Sequence, residues 1–114
     1  MNIVSFQPMI YESIAPLLSI ARDKRWAKES RQFLADNPHC VVCGTTDYCV
    51  VHHVKPFHLF PELEMDWRYW RTVCETPSHN DHFAVGHLFN WSRYNQEFDE
   101  LAKRIKDLLN LAKQ

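Results

Sequence analysis

The sequence predicts an α+β domain, mostly helical, with one β-hairpin standing between helices. Three observations carry this expectation. Apolar residues recur with helical spacing near both ends of the chain. Val and aromatic residues gather around a polar turn at 45–47. The 114 residues, 46% hydrophobic and 24% charged, suffice for one buried core and leave no room for a second. Residues 1–114 are therefore read as a single domain. The composition excludes a disordered chain. A net charge of -1 excludes a polycationic nucleic-acid-binding tail but not a local basic patch.

Residues 1–9 read as an extended arm ending at Pro8. Ile10, Ile14, Leu17, Leu18 and Ala21 follow at helical intervals, which predicts a helix starting near Ser13 with Pro16 in its first turn. Residues 1–21 thus form an arm and a helix. A second helix is expected over 22–36, stopped by Asn37-Pro38, with Trp26, Phe33 and Leu34 toward the core. The hairpin is placed on CVVCG, the turn at 45–47 and YCVVHHV. Pro56 and Pro61 bracket a loop. Asp66 is expected to cap a short helix over WRYWRTVC. Another helix is expected from about residue 79. The last covers 95–112, with Phe98, Leu101, Ile105, Leu108, Leu109 and Ala112 as its packed stripe.

The N-terminus lacks the basic region and long apolar run of a signal peptide. The longest near-apolar run, 14–21, is too short to span a bilayer. A cytoplasmic chain with reduced thiols and no membrane contact is expected. Among seven His and four Cys, metal binding or burial is then a better starting point than a disulfide framework.

Cys40-Val-Val-Cys43-Gly44 has the spacing of half a zinc knuckle. Two thiolates three residues apart can grip one tetrahedral ion, and Gly44 gives the backbone room to turn. A redox pair or two buried thiols would look the same. Cys74 is a candidate third ligand, with Asp81, His79 and Cys49 available as the fourth. His52 and His53 end the second predicted strand, where neighbouring side chains face opposite ways. One imidazole can face a metal while the other faces a different partner. A partly exposed strand end is the plainer alternative. A thiolate pair, a His-bearing hairpin and a His-bearing helix in that order is the β-β-α-metal arrangement used to cut phosphodiesters. A metal there stabilises the pentacovalent phosphate and the leaving 3′-oxygen. A neutral His takes a proton from the attacking water.

The ordered set resembles the small HNH endonucleases common in phages and bacteria. It comprises Cys40-x2-Cys43-Gly44, Val51-His52-His53-Val54 with the following loop to Asp66, Val73-Cys74-Glu75, and His82-Phe83-x2-Gly86-His87-Leu88-x-Asn90-Trp91-x2-Tyr94-Asn95. The resemblance covers about residues 22–97. It implies that His53 is the general base and that His52 and His82 hold a catalytic divalent ion such as Mg²⁺, Mn²⁺ or Ni²⁺. It implies that Cys40, Cys43 and Cys74 are three of four structural Zn²⁺ ligands, and it places His58 and His87 near the site. It also implies DNA as the partner, in a bacterial or phage-infected cell.

Two positions depart from the family pattern. Tyr69 stands where the middle Asn is expected, and Asp81 where the fourth Cys is expected. Asp can ligate zinc as a harder donor. His79 could take that place instead, or the fold could stand without zinc. The departures leave a competing reading: a decayed HNH fold kept as an inhibitor-like module that binds nucleic acid or protein. Lys24, Lys28 and Arg31 share a predicted helix face and suit DNA phosphates, or an ordinary solvated face. Arg68 and Arg71 are further phosphate candidates near the site. Trp67, Trp70, Trp91 and Tyr94 suit base stacking or packing, and His39 reads as a loop residue.

Overall fold

Helix α1 occupies Trp26–Asp36 in the computed structural model, which describes residues 22–113. The arm and helix expected over 1–21 lie outside the described residues. The α1 helix stops where the sequence says it should. The Asn37 backbone and side-chain amides both donate to the Phe33 carbonyl, at 2.7 and 3.1 Å, and Pro38 follows. Trp26 and Phe33 set ring edges against Trp70, with centroids 5.0 and 5.4 Å apart.

The strands are not paired as the sequence predicts. Strand β1, Cys49–His53, runs antiparallel to β2, Trp70–Cys74, in a register from Cys49↔Cys74 to His53↔Trp70. Residues 40–44 form no strand. They curl into a knuckle closed by the Gly44 amide on the Cys40 carbonyl at 2.9 Å. Gly44 takes a φ of +81°, which glycine reaches without a Cβ clash. The knuckle then docks on the sheet through the Val41 amide and the Thr72 carbonyl.

The helix expected over WRYWRTVC is also absent. Asp66 does cap, accepting the Arg68 amide, but only a 3-10 turn at Trp67–Tyr69 follows. The β-branched Thr72 and Val73 lose side-chain freedom in a helix. As part of β2 they become almost completely buried, with Trp70 and Cys74 beside them. Tertiary burial here overrides the local cap signal.

The helix expected from about residue 79 is a single π-turn, His82–Gly86. Asn80 Oδ1 accepts the Phe83 amide at its start. Leu88 and Phe89, at φ 52° and 62°, end it in left-handed backbone. The last helix, α2, spans Phe98–Ala112 rather than 95–112. Asn95 instead ties the preceding turn, donating to the Val85 carbonyl and accepting the Glu97 amide.

The core joins Cys40, Val42, Val73, Cys74, Val85, Phe98 and Ala102, with Val50, Leu101 and Ile105 against it. The predicted stripe of α2 is half right. Phe98 is buried, but Leu108 and Leu109 are 63% and 39% exposed and Ala112 is exposed. A 15-residue helix is about 22 Å long, and this small body covers only its first turns. Among the described residues no helix is long and apolar enough to cross a membrane.

Candidate metal centres

The knuckle, the end of β2 and the residue before the π-turn converge on one point. One donor atom each from Cys40, Cys43, Cys74 and Asp81 lies within 4.8 Å of the others. Asp81 Oδ2 accepts from the Cys40 and Cys74 thiols at 3.4 and 3.3 Å, and the Cys43 and Cys74 sulfurs are 3.7 Å apart. Burial raises the Cys40 and Cys43 thiols well above the usual range. A cation binding here displaces those protons and gains the thiolates as ligands. Three sulfurs and a carboxylate, mostly buried, form a cluster able to hold a metal ion.

The competing fourth ligands are placed elsewhere. Cys49 gives its thiol to the Thr45 carbonyl at 3.3 Å. His79 is exposed, with Nδ1 on the Ser78 hydroxyl, and its carbonyl accepts the Cys74 thiol.

A second cluster joins His52, His82 and His87, whose ring nitrogens also lie within 4.8 Å of one another. The three rings meet edge to face, with centroids 5.0 to 5.1 Å apart. Sequence reading placed His87 only near the site; in an α-helix five residues turn about 500° and would end roughly 140° from the start. The wider π-turn, closed by i→i+5 bonds, shrinks that offset and brings His87 beside His82. Trp91 packs on both rings at 4.9 Å, and Phe98 lies under His52 at 4.8 Å.

The ring protons of this cluster are directed. His87 Nδ1–H donates to the Arg93 carbonyl at 2.9 Å, leaving Nε2 as the lone-pair nitrogen. His82 Nδ1 is 2.8 Å from Glu75 Oε2, which likewise leaves Nε2 outward. Burial pushes His52 down to about 2 and His87 to about 4, and lowers His82. All three are neutral near pH 7, the form that ligates metal.

His53 faces the other side of β1, as strand alternation requires. Its ring lies 4.7 Å from Trp26 and 6.0 Å from Phe57. A carbonyl only accepts, so the 3.0 Å contact with the Glu64 carbonyl fixes the proton on Nε2 and leaves the Nδ1 lone pair. Burial lowers His53 to about 4. Tyr69 acts through its backbone: its carbonyl accepts the Val54 amide at 2.9 Å, next to His53. Glu64 and Tyr69 carbonyls thus hold the histidine-bearing strand end, a role no side-chain motif could reveal. His58 is half-buried and near enough to His87 to lower it electrostatically.

The basic candidates do not all lie on one helix. Lys24 lies in the turn before α1, so only Lys28 and Arg31 sit on the helix, both exposed. Arg68 is paired with Asp66 at 2.7 Å and Arg71 with Asp99 at 2.8 Å. Trp70 is buried packing, while Trp67 is 66% exposed.

No protein-family model matches this chain, and no curated protein and no solved structure matches it either.

Proposed function

We propose that the chain is a metal-dependent endonuclease of the HNH type that hydrolyses DNA phosphodiester bonds. The observation that carries the proposal is the cluster of three neutral imidazoles, His52, His82 and His87, with the neutral His53 adjacent in sequence to the first. His52, His82 and His87 would hold a divalent cation such as Mg²⁺, Mn²⁺ or Ni²⁺. Bound there, such an ion supplies charge stabilisation to a phosphate and its leaving oxygen. His53 lies across β1 from those rings but within electrostatic reach of His82, and its Nδ1 lone pair would accept the proton of an attacking water at the strand end. Its Nε2–H bond to Glu64 fixes the tautomer and orients the ring. Cys40, Cys43, Cys74 and Asp81 suit a structural Zn²⁺ that pins the knuckle to β2 and the π-turn.

Nicking of supercoiled plasmid with each of these ions, against His53→Ala and His87→Ala, tests the reading. Cleavage by the parent protein and at least a 100-fold loss in both variants is expected. Equal cleavage by His53→Ala rejects it as the base.

One set of contacts favours a second reading, a non-catalytic module on the same fold that binds nucleic acid or protein. His53 is only 8% exposed, and Arg68 and Arg71 are engaged in ion pairs within the chain. That reading expects no cleavage with any of the ions.

A further inference from the structure

The two clusters are joined by two pairs of neighbouring residues. Cys74 belongs to the thiol cluster, and the next residue, Glu75, holds His82 Nδ1 at 2.8 Å. Asp81 belongs to the thiol cluster, and the next residue is His82 itself. Segment 74–82 is therefore clamped twice. Its inner clamp is the contact of Cys74 Sγ with Asp81 Oδ2 at 3.3 Å, and its outer clamp is Glu75 with His82.

Without metal, the inner clamp is one thiol hydrogen bond to a carboxylate oxygen that also accepts the Cys40 thiol. Such bonds are long and weak beside coordination at about 2.0 to 2.3 Å. An ion gripping Cys74 and Asp81 together fixes the backbone on which Glu75 and His82 stand. A carboxylate on the far nitrogen of a metal-binding imidazole sets its orientation and raises its basicity.

We propose that the Cys40–Cys43–Cys74–Asp81 site is an allosteric control on the histidine site, with Glu75 as the positioning residue that transmits it. Filling the thiol site raises the affinity of His52, His82 and His87 for a second divalent ion. This deepens the nuclease reading and rests on its claim that the histidines bind metal. It does not depend on whether DNA is cut.

Ni²⁺ serves as the probe for the histidine site, titrated calorimetrically into the full chain preloaded with one equivalent of Zn²⁺. His52→Ala defines which binding belongs to that site. Cys43→Ser removes a thiol-site ligand that lies outside segment 74–82. Its Ni²⁺ affinity is expected to fall about 10-fold against the zinc-loaded parent. Glu75→Ala is expected to lower Ni²⁺ affinity about 10- to 100-fold with the Zn²⁺ content unchanged, and Glu75→Gln, which keeps an acceptor, to recover part of it. Glu75 is partly exposed, so its variants report even where Cys43→Ser fails to fold. Unchanged Ni²⁺ affinity in Glu75→Ala, or in a folded Cys43→Ser, overturns the coupling. Ni²⁺ binding that ignores His52→Ala overturns the histidine site, and the coupling with it. Failure of plasmid nicking with the coupling intact rejects only the nuclease reading.

Discussion

Gly86 and His52 approach so closely across the histidine cluster that a side chain at position 86 would have to push a ring aside by a few tenths of an ångström. A Cβ on Gly86 would lie 3.1 Å from His52 Cε1 and 3.2 Å from His82 Cδ2. Both rings are ligand candidates, so any relief of the clash moves a ligand. Gly86→Ala is expected to weaken Ni²⁺ binding by on the order of tenfold while the chain stays folded. Calorimetric titration beside a thermal melt separates the two effects. Unchanged Ni²⁺ affinity would show that the rings are not the ligands.

The other glycine in the chain is needed for a different reason. Gly44 has φ +81°, and a Cβ there would meet nothing within 4 Å. The cost of Gly44→Ala is therefore backbone conformation alone, about 1 to 2 kcal/mol. Urea unfolding should read that loss, with Zn²⁺ stoichiometry unchanged. A loss of bound Zn²⁺ in a folded variant would show that the turn also sets the sulfur geometry.

Protons act on the metal-free protein through its buried histidines. Unfolded histidines titrate near 6.5, whereas burial lowers His53 and His87 to about 4 and His52 to about 2. Between those values the unfolded chain binds more protons, so stability rises with pH there. The histidine contribution should be complete near pH 7 and fall as the pH drops below 6.5, continuing through 4, while the raised Cys40 and Cys43 thiols remove stability only as the pH rises past their usual 9.0. Asp23 and Asp66, held down by Arg25 and Arg68, add their loss only below their usual 3.8. Urea midpoints at pH 8, 6 and 5 check the sign. A midpoint that rises toward pH 5 is incompatible with neutral buried imidazoles.

How far the sequence could be read depends on what each residue bonds to. The cluster of Cys40, Cys43, Cys74 and Asp81 was legible because ligand chemistry and order survive without knowledge of the fold. The partner of β1 was not. Cys74 was expected at a helix end and sits in β2, since burial of Thr72 and Val73 outweighs the cap at Asp66. His87 was half legible, because a π-turn is invisible to a 3.6-residue pattern. At Tyr69 the sequence points to the side chain, and the structure adds a backbone carbonyl that accepts the Val54 amide. Tyr69→Phe is thus expected to keep stability within about 0.5 kcal/mol and leave Ni²⁺ affinity unaltered. A larger loss in either measurement would assign the hydroxyl a role.

The two halves of α2 should respond unequally to substitution. Phe98 is 1% exposed and lies under His52 at 4.8 Å, joining the core to the histidine cluster. Phe98→Ala should cost about 3 to 5 kcal/mol, since the removed ring leaves a cavity. It should also weaken Ni²⁺ binding, because His52 loses its floor. Leu108 belongs to the same heptad-like stripe but is 63% exposed. Leu108→Glu removes little buried area, and its stability should stay within about 0.5 kcal/mol of the parent. Thermal melts of the two variants decide the point. A loss at Leu108 approaching that at Phe98 would mean that the distal half of the helix is packed in solution.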